Sequence, residues 1–143
     1  MNVQIVGDPT DAQMEDLIAA ARAARQQAYA PYSGFAVGAA LLDEKGRIHA
    51  GCNIENAAYP QSQCAEASAI AHLILAGSQR IVAAVVVGVA PEPVSPCGGC
   101  RQRLREFATD DTPVWSADLD QVLARFTLGF LLPANFGPRH LSS

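Results

Sequence analysis

Four cysteines carry the first chemical signal in this chain: Cys52, Cys64, Cys97 and Cys100. The last two frame the stretch Pro96-Cys97-Gly98-Gly99-Cys100, and Cys64 stands two residues before Glu66. In a reducing compartment a Cys-x-x-Cys pair is a metal site or a redox site, and spacing alone leaves both open. The redox reading requires a reversible Cys97–Cys100 disulfide and no metal. The metal reading requires that Cys64 join the pair. If Cys64 opens one helix and Cys97 another, and both helices start at one edge of a sheet, three thiolates meet at a point. Helix N-termini carry partial positive charge and favour thiolate over thiol. Three thiolates around Zn²⁺ leave a fourth tetrahedral position for water, the layout of a catalytic rather than a closed structural site. Glu66 would then sit close enough to exchange protons with that water without ligating the metal, while zinc makes hydroxide available near neutral pH. The plainer reading of Glu66 is a carboxylate stabilised by the helix dipole, and its place beside a ligand favours catalysis. Cys52 reads as a small buried hydrophobe. A shell closed by Cys52 would instead make a non-catalytic, zinc-stabilised binding module.

The elements that must position these residues follow from pattern. Thr10 to Gln13 forms a capping box, and Met14, Leu17, Ile18, Ala21, Ala24 and Ala28 follow at helical spacing, so a helix is expected over residues 10–29. Pro31 and Gly34 close it. An apolar strand over 35–42, a turn over 43–46 and a returning strand over 48–53 make a hairpin. A polar loop covers 55–63. Residues 64–75 read as a helix closed by Gly77. The apolar run over 81–89 suits a strand covered on both faces. A proline-punctuated loop over 91–96 leads into a helix over 97–107, with Pro96 at its edge. Short strands are expected over 113–116 and 122–126, and a last helical turn over 128–132. The order α-β-β-α-β-α-β-β predicts an α/β protein, a three-layer α/β/α sandwich with a mixed sheet of about five strands. Consecutive parallel strands joined by helices would place both cysteine-bearing helix starts on one sheet edge.

Composition narrows the class. The chain has 143 residues, with half of them hydrophobic and a formal net charge of −4. That length predicts a single domain over 1–143 with a substantial core, and the apolar content excludes a disordered chain. Net acidity argues against a nucleic-acid partner, which would call for a basic patch. No run reaches the roughly 18 apolar residues of a membrane span. The first eight residues lack a signal-peptide pattern, so a cytoplasmic protein is expected.

Cys64-x-Glu66 followed by Pro96-Cys97-x-x-Cys100 fits the three-cysteine variant of the zinc deaminase signature. Four further stretches extend the match: Tyr-Ala-Pro-Tyr-Ser-Gly-Phe-Ala-Val-Gly-Ala-Ala-Leu from Tyr29, Gly-Cys-Asn-Ile-Glu-Asn-Ala-Ala-Tyr from Gly51, Ser-Pro-Cys-Gly-Gly-Cys-Arg-Gln from Ser95, and Leu-Leu-Pro-Ala-Asn-Phe-Gly-Pro from Leu131. On these the chain resembles the homotetrameric cytidine deaminases of short, single-domain type over residues 29–138. The zinc pieces are shared by zinc nucleobase deaminases at large, whereas the Asn-Ile-Glu-Asn-Ala stretch is specific to those acting on a free nucleoside. The resemblance implies one zinc per chain held by Cys64, Cys97 and Cys100, with Glu66 as proton shuttle. It implies that Asn53 and Glu55 hydrogen-bond the ribose hydroxyls, that Phe35 packs on the base, and that the backbone at Ala65 and Ser95 reads the pyrimidine edge and amino group. Ala57, Tyr59 and Phe136 would reach a neighbouring subunit's site, so that a homotetramer shares its active sites. The implied reaction is hydrolysis of cytidine and deoxycytidine to the uridine product and ammonia, in pyrimidine salvage. The rival within the class is a deaminase of another aminopyrimidine nucleoside, of the blasticidin S type.

Two positions depart from the family pattern. Ala67 stands where an Arg usually bonds the zinc thiolates, so helix N-terminal amides, helped by Arg101, are expected to offset the thiolate charge. Phe130 stands where Glu is usual and is expected in the core or an interface. The remaining polar residues read plainly. His49, His72 and His140 have no metal-like spacing and belong to the surface or to satisfied core positions. Arg101, Arg103 and Arg105 with Glu106 read as a solvated helix face, Arg101 lying near the zinc. Trp115 reads as core, Phe35 as core or base contact, and Glu55 without its motif as a solvated loop carboxylate.

Overall fold

Thr10 opens the first helix by a reciprocal exchange with Gln13. Its hydroxyl accepts the Gln13 N–H at 3.1 Å, and the Gln13 side chain accepts the Thr10 N–H at 2.9 Å. The cap satisfies donors that the first turn leaves without partners. In the computed structural model, which describes residues 9–142, this helix is α1, Asp11–Arg25. The stretch inspected for a leader, residues 1–8, and residue 143 lie outside the described residues. The helix ends at Arg25 rather than at Tyr29. Gln26, Gln27 and Ala28 turn back to carbonyls three residues behind, and the Tyr29 backbone pairs instead with the strand-like segment at Asn53 and Glu55.

The other elements follow the expected order: β1 (Gly38–Asp43), β2 (Ile48–Cys52), α2 (Ala65–Leu75), β3 (Ile81–Val87), α3 (Gly98–Phe107), β4 (Pro113–Ala117), β5 (Val122–Thr127) and the short α4 (Leu128–Leu131). β1 starts three residues later than its apolar run. The Asn53 side chain accepts the Val37 N–H at 2.9 Å and donates to the Phe35 carbonyl at 2.8 Å, so residues 35–37 are held mainly by a side chain, with one backbone bond from the Asn53 N–H to the Val37 carbonyl at 3.3 Å.

The sheet runs in the order β2-β1-β3-β4-β5. β1 is antiparallel to both β2 and β3, β3 is parallel to β4, and β4 is antiparallel to β5. Since β2 and β3 both oppose β1, they run the same way. The β2-α2-β3 connection therefore steps over β1, and β3-α3-β4 steps to the next strand in the same direction. The parallel pair expected around α2 is thus separated by an antiparallel strand, yet the consequence holds. Right-handed crossovers in one direction put α2 and α3 on one face, each starting where its preceding strand ends. α1 covers the other face, completing the α/β/α sandwich.

Packing confirms the layers. Ala39 and Leu41 of β1 join Ala69 and Leu73 of α2 and Leu104 of α3 in one core, while Ala40 and Leu42 join Leu17 and Ala21 of α1 in the other. Every residue of β1 is buried, as a strand covered on both sides requires. A Cβ at Gly51 would lie 2.4 Å from the Ala69 nitrogen, so only glycine lets α2 settle directly on β2. Trp115 is core, with the Arg125 guanidinium 5.4 Å from its ring centre.

At the sheet edge remote from the cysteines, the fully buried Asp43 ends β1. One carboxylate oxygen accepts the Lys45 and Arg47 N–H groups, and the other takes Arg47 Nε at 2.9 Å and His49 Nε2 at 2.8 Å. His49 is thus a satisfied core residue. Burial pushes the Asp43 carboxyl up, but the bonds from His49, Arg47 and Lys45 outweigh it and hold the group at about 2. A depressed folded value stabilises the fold above the unfolded value near 4, and the contribution fades as pH falls towards 2. Asp43→Asn is expected to cost about 2 kcal/mol in urea denaturation at pH 7, the gap to wild type narrowing by pH 3. A gap that stays constant with pH would remove ionisation of Asp43 from the account.

Candidate active site

The two crossover helices start on cysteine. Cys64 is the N-cap of α2 and Cys97 the N-cap of α3, both with extended backbone and neither with its side chain bonded into the cap. Their thiols are therefore free to point away from the helix axes. Cys100, one turn into α3, is fully buried. The three sulfurs lie within 4.8 Å of one another, with Cys64 and Cys97 at 3.9 Å. Metal–sulfur bonds of about 2.3 Å in a tetrahedron place sulfurs about 3.8 Å apart, so the cluster is dimensioned for a zinc ion. Cys52, half-buried on β2, is not in it.

Electrostatics points the same way. Burial raises the Cys64 thiol, with the Cys97 and Glu66 charges adding to it, and burial followed by the Glu66 charge raises Cys100 far above the ordinary thiol range. Only Cys97 moves down. Burial opposes ionisation there, but the Cys100 backbone N–H and the neighbouring thiols favour the thiolate. Three thiolates beside a carboxylate repel one another, and a divalent cation is the group that resolves the repulsion. Glu66, in the first turn of α2, is 4% exposed. Burial raises its carboxyl, with its own backbone amide and the Arg103 charge pulling back.

A cleft of about 310 Å³ opens over the cluster. Phe35, Asn53, Glu55, Cys64, Ala65, Glu66, Ser95 and Cys97 line it. Eight of the residues singled out from the sequence thus share one cavity, and Cys100 packs behind it. Glu55 is pinned: Oε1 accepts the Tyr32 and Ser33 N–H groups at 2.9 and 3.0 Å, and Oε2 accepts the Ser33 hydroxyl at 2.5 Å. The Ser33 hydroxyl is the main reason its carboxyl lies below the usual value. Ala57, Tyr59 and Phe136 lie outside this cleft. Tyr59 is 70% exposed and packs edge-on against Tyr32, and Phe136 is 55% exposed and stacks on His140 at 4.9 Å.

Ser33, Val37, Val86 and Val94 also line the cleft and were not singled out. A Ser-Gly step after Pro31 was a turn signal for Ser33. Strand alternation from Ala84, on the α2–α3 face, was one for Val86.

The arginine run is not a uniform solvated face. Arg101 donates to the Pro96 carbonyl at 2.7 Å, the Leu131 carbonyl at 2.8 Å and the Ser95 hydroxyl at 3.0 Å, so its guanidinium ties down the cysteine loop through oxygens. Arg105 is half-buried on Asn135, and Arg103 stays exposed. Of the two placements expected for Phe130, core or interface, the core does not hold within this chain. Phe130 is 73% exposed and stacks on Phe126 with centroids 6.0 Å apart. α4 is a single turn, which leaves the ring on its outer side.

Three thiols gathered by two helix starts, with no fourth protein ligand in the cluster among the described residues and a buried carboxylic acid alongside, define a metal-dependent enzyme site of the open type. The sequence model for the cytidine and deoxycytidylate deaminase zinc-binding region matches residues 11–116. A cytidine deaminase of Sporosarcina psychrophila is 46% identical over 129 residues, covering 90% of this chain and 95% of that protein. One of Mycobacterium tuberculosis is 40% identical over 110 residues, 77% of this chain and 79% of the other. The crystal structure of cytidine deaminase from Burkholderia pseudomallei superposes with a TM-score of 0.80 at 41% identity, covering 85% of this chain and 98% of that one. The chain belongs to the zinc-binding cytidine and deoxycytidylate deaminase family.

The cluster geometry predicts that Cys52→Ala keeps one zinc per chain while Cys97→Ala loses it, by metal analysis of purified protein. The reverse pattern would break the ligand assignment.

Proposed function

We propose that this chain hydrolyses cytidine and deoxycytidine to uridine and deoxyuridine with release of ammonia, as a single catalytic domain over 1–143 acting in pyrimidine salvage. The observation that carries the reading is one cleft holding both the Cys64–Cys97–Cys100 cluster with Glu66 and the Asn53–Glu55 pair. Cys64, Cys97 and Cys100 are assigned as zinc ligands. Bound zinc supplies a Lewis acid that makes a water nucleophilic near neutral pH.

The protein groups do the rest. Glu66 takes a proton from the attacking water as the oxygen adds to C4 of the pyrimidine, and passes it to N3. It then carries the second proton to the departing amine, so that water and cytidine become uridine and ammonia. A carboxyl raised by burial suits this work, because its affinity for protons lies closer to the operating pH. Phe35 packs on the base, and the backbone at Ala65 and Ser95 reads the pyrimidine edge and amino group. At the sugar end an ionised carboxylate offers about four acceptor positions. Three on Glu55 are taken, leaving one for a hydroxyl donor. Asn53 keeps one N–H after bonding the Phe35 carbonyl. Such a pair reads a sugar hydroxyl and repels a phosphate, which favours a free nucleoside.

A homotetramer with shared sites accords with the positions of Ala57, Tyr59 and Phe136, exposed here and outside their own cleft. The exposed Phe130, stacked on the half-buried Phe126, is assigned to the same interfaces. No described helix is long and apolar enough to cross a membrane. The net charge of −4 disfavours a nucleic-acid partner. Four free cysteines accord with a reducing cytoplasm.

Glu66→Gln is expected to retain zinc but lose about 10²–10⁴-fold in turnover of cytidine followed by ultraviolet absorbance. Near-normal turnover would end the proton-carrier role. Mixing inactive Glu66→Gln subunits with inactive Phe136→Ala subunits is expected to restore some activity, since each supplies what the other lacks. A fully active monomer in solution would refute the shared site.

A further inference from the structure

Ser33 belongs to neither the metal cluster nor the set of residues read from the sequence, yet its hydroxyl joins the two ends of the cleft. A carboxylate can only accept and a backbone N–H can only donate, so the roles of this hydroxyl are fixed. It donates to Glu55 Oε2 at 2.5 Å and accepts the Phe35 N–H at 3.0 Å. The Ser33 backbone N–H adds a third bond, to Glu55 Oε1 at 3.0 Å. The turn that presents it is set by Gly34, whose φ of 67° lies in the left-handed region and whose N–H bonds the Ala30 carbonyl at 2.9 Å. From behind, the Glu55 N–H bonds the Tyr29 carbonyl at 2.8 Å.

We infer that Ser33 is a positioning residue for sugar recognition: it holds the Glu55 carboxylate at a fixed place relative to Phe35 and leaves that carboxylate one open acceptor for a sugar hydroxyl. This rests on the reading of Glu55 as the sugar contact and Phe35 as the base contact. Without the hydroxyl, Oε2 has a second open position and the Phe35 N–H loses its partner. The carboxylate then turns within the loop, and a nucleoside must fix it on binding. The larger penalty falls on the Glu55 carboxylate, which loses a charge-assisted bond, while Phe35 stays anchored through its carbonyl to the Asn53 side chain at 2.8 Å. Proton transfer at Glu66 is left alone, because Ser33 makes no bond to the α2 or α3 helix starts.

The test compares uridine with uracil as competitive inhibitors of the zinc-loaded enzyme, alongside cytidine kinetics. Ser33→Ala is expected to raise KM for cytidine and Ki for uridine about tenfold, as for loss of a hydrogen bond to a charged group. kcat should stay within about threefold and Ki for uracil, which has no sugar, within about twofold. Ser33→Thr, which keeps the hydroxyl, should restore uridine binding. Unchanged uridine binding in Ser33→Ala, an equal loss for uridine and uracil, or a Ser33→Thr that behaves like alanine would each overturn the proposal. Glu55→Ala separates the two layers. If it leaves uridine binding unchanged, the sugar contact itself is wrong and the proposal falls with it. If it weakens uridine while Ser33→Ala does not, only the role of Ser33 is wrong.

Discussion

Three sulfurs within 4.8 Å of one another, with a buried carboxyl beside them, form an arrangement that the protein groups alone resist. Each ionisation makes the next harder, and burial adds to the difficulty. The architecture answers in two ways. It places Cys64 and Cys97 at helix starts, where the partial positive charge of the helix end favours thiolate over thiol. It also leaves the cluster at sulfur spacings that match a zinc ion. The sheet order serves this purpose. Two crossovers in the same direction over an antiparallel β1 bring two helix starts to one edge, which a simple hairpin succession would not do.

The same edge carries the groups proposed to recognise substrate. The segment after β2 runs from Cys52 to Glu55 beside the loop that precedes β1, and the two hold each other through side chains. Asn53 bonds Phe35 and Val37, and Glu55 bonds Tyr32 and Ser33. Beyond the regular ladder only a few backbone bonds join these segments, Tyr29 with Asn53 and Glu55 and the Asn53 N–H with the Val37 carbonyl, and the polar side chains add to them. The groups proposed to read a nucleoside are thus also those that fold the loops around it, and their remaining hydrogen-bonding capacity defines what the ligand can offer. On the opposite rim, Arg101 does similar work for the cysteine loop by bonding Ser95, Pro96 and Leu131. The far end of the sheet is closed by the unrelated Asp43 cluster, so acid sensitivity of the fold and chemistry of the site are physically separated.

The exposed aromatic residues have no such explanation within one chain. Tyr59, Phe130 and Phe136 are each more than half exposed. Leaving that much aromatic surface in water is unfavourable, and copies of the chain packed against one another would cover it.

The sequence by itself determined the elements and the metal cluster. Capping at Thr10, helical spacing along α1, the apolar run of β3 and the Cys-x-Glu and Pro-Cys-x-x-Cys starts are local signals, each decided within a few residues. They sufficed to bring Cys64, Cys97, Cys100 and Glu66 together, because handedness of crossovers leaves few alternatives. Tertiary structure decided the rest. α1 stops at Arg25 because Tyr29 finds a partner at Asn53, and β1 starts at Gly38 because Asn53 holds Phe35 and Val37. Ser33 meets Glu55, 22 positions along the chain, and Arg101 meets Leu131, 30 positions along. No periodicity encodes such pairs. They depend on which loops the sheet order brings side by side, and a side chain's local sequence carries no record of the distant carbonyl or carboxylate that will take its hydrogen bond.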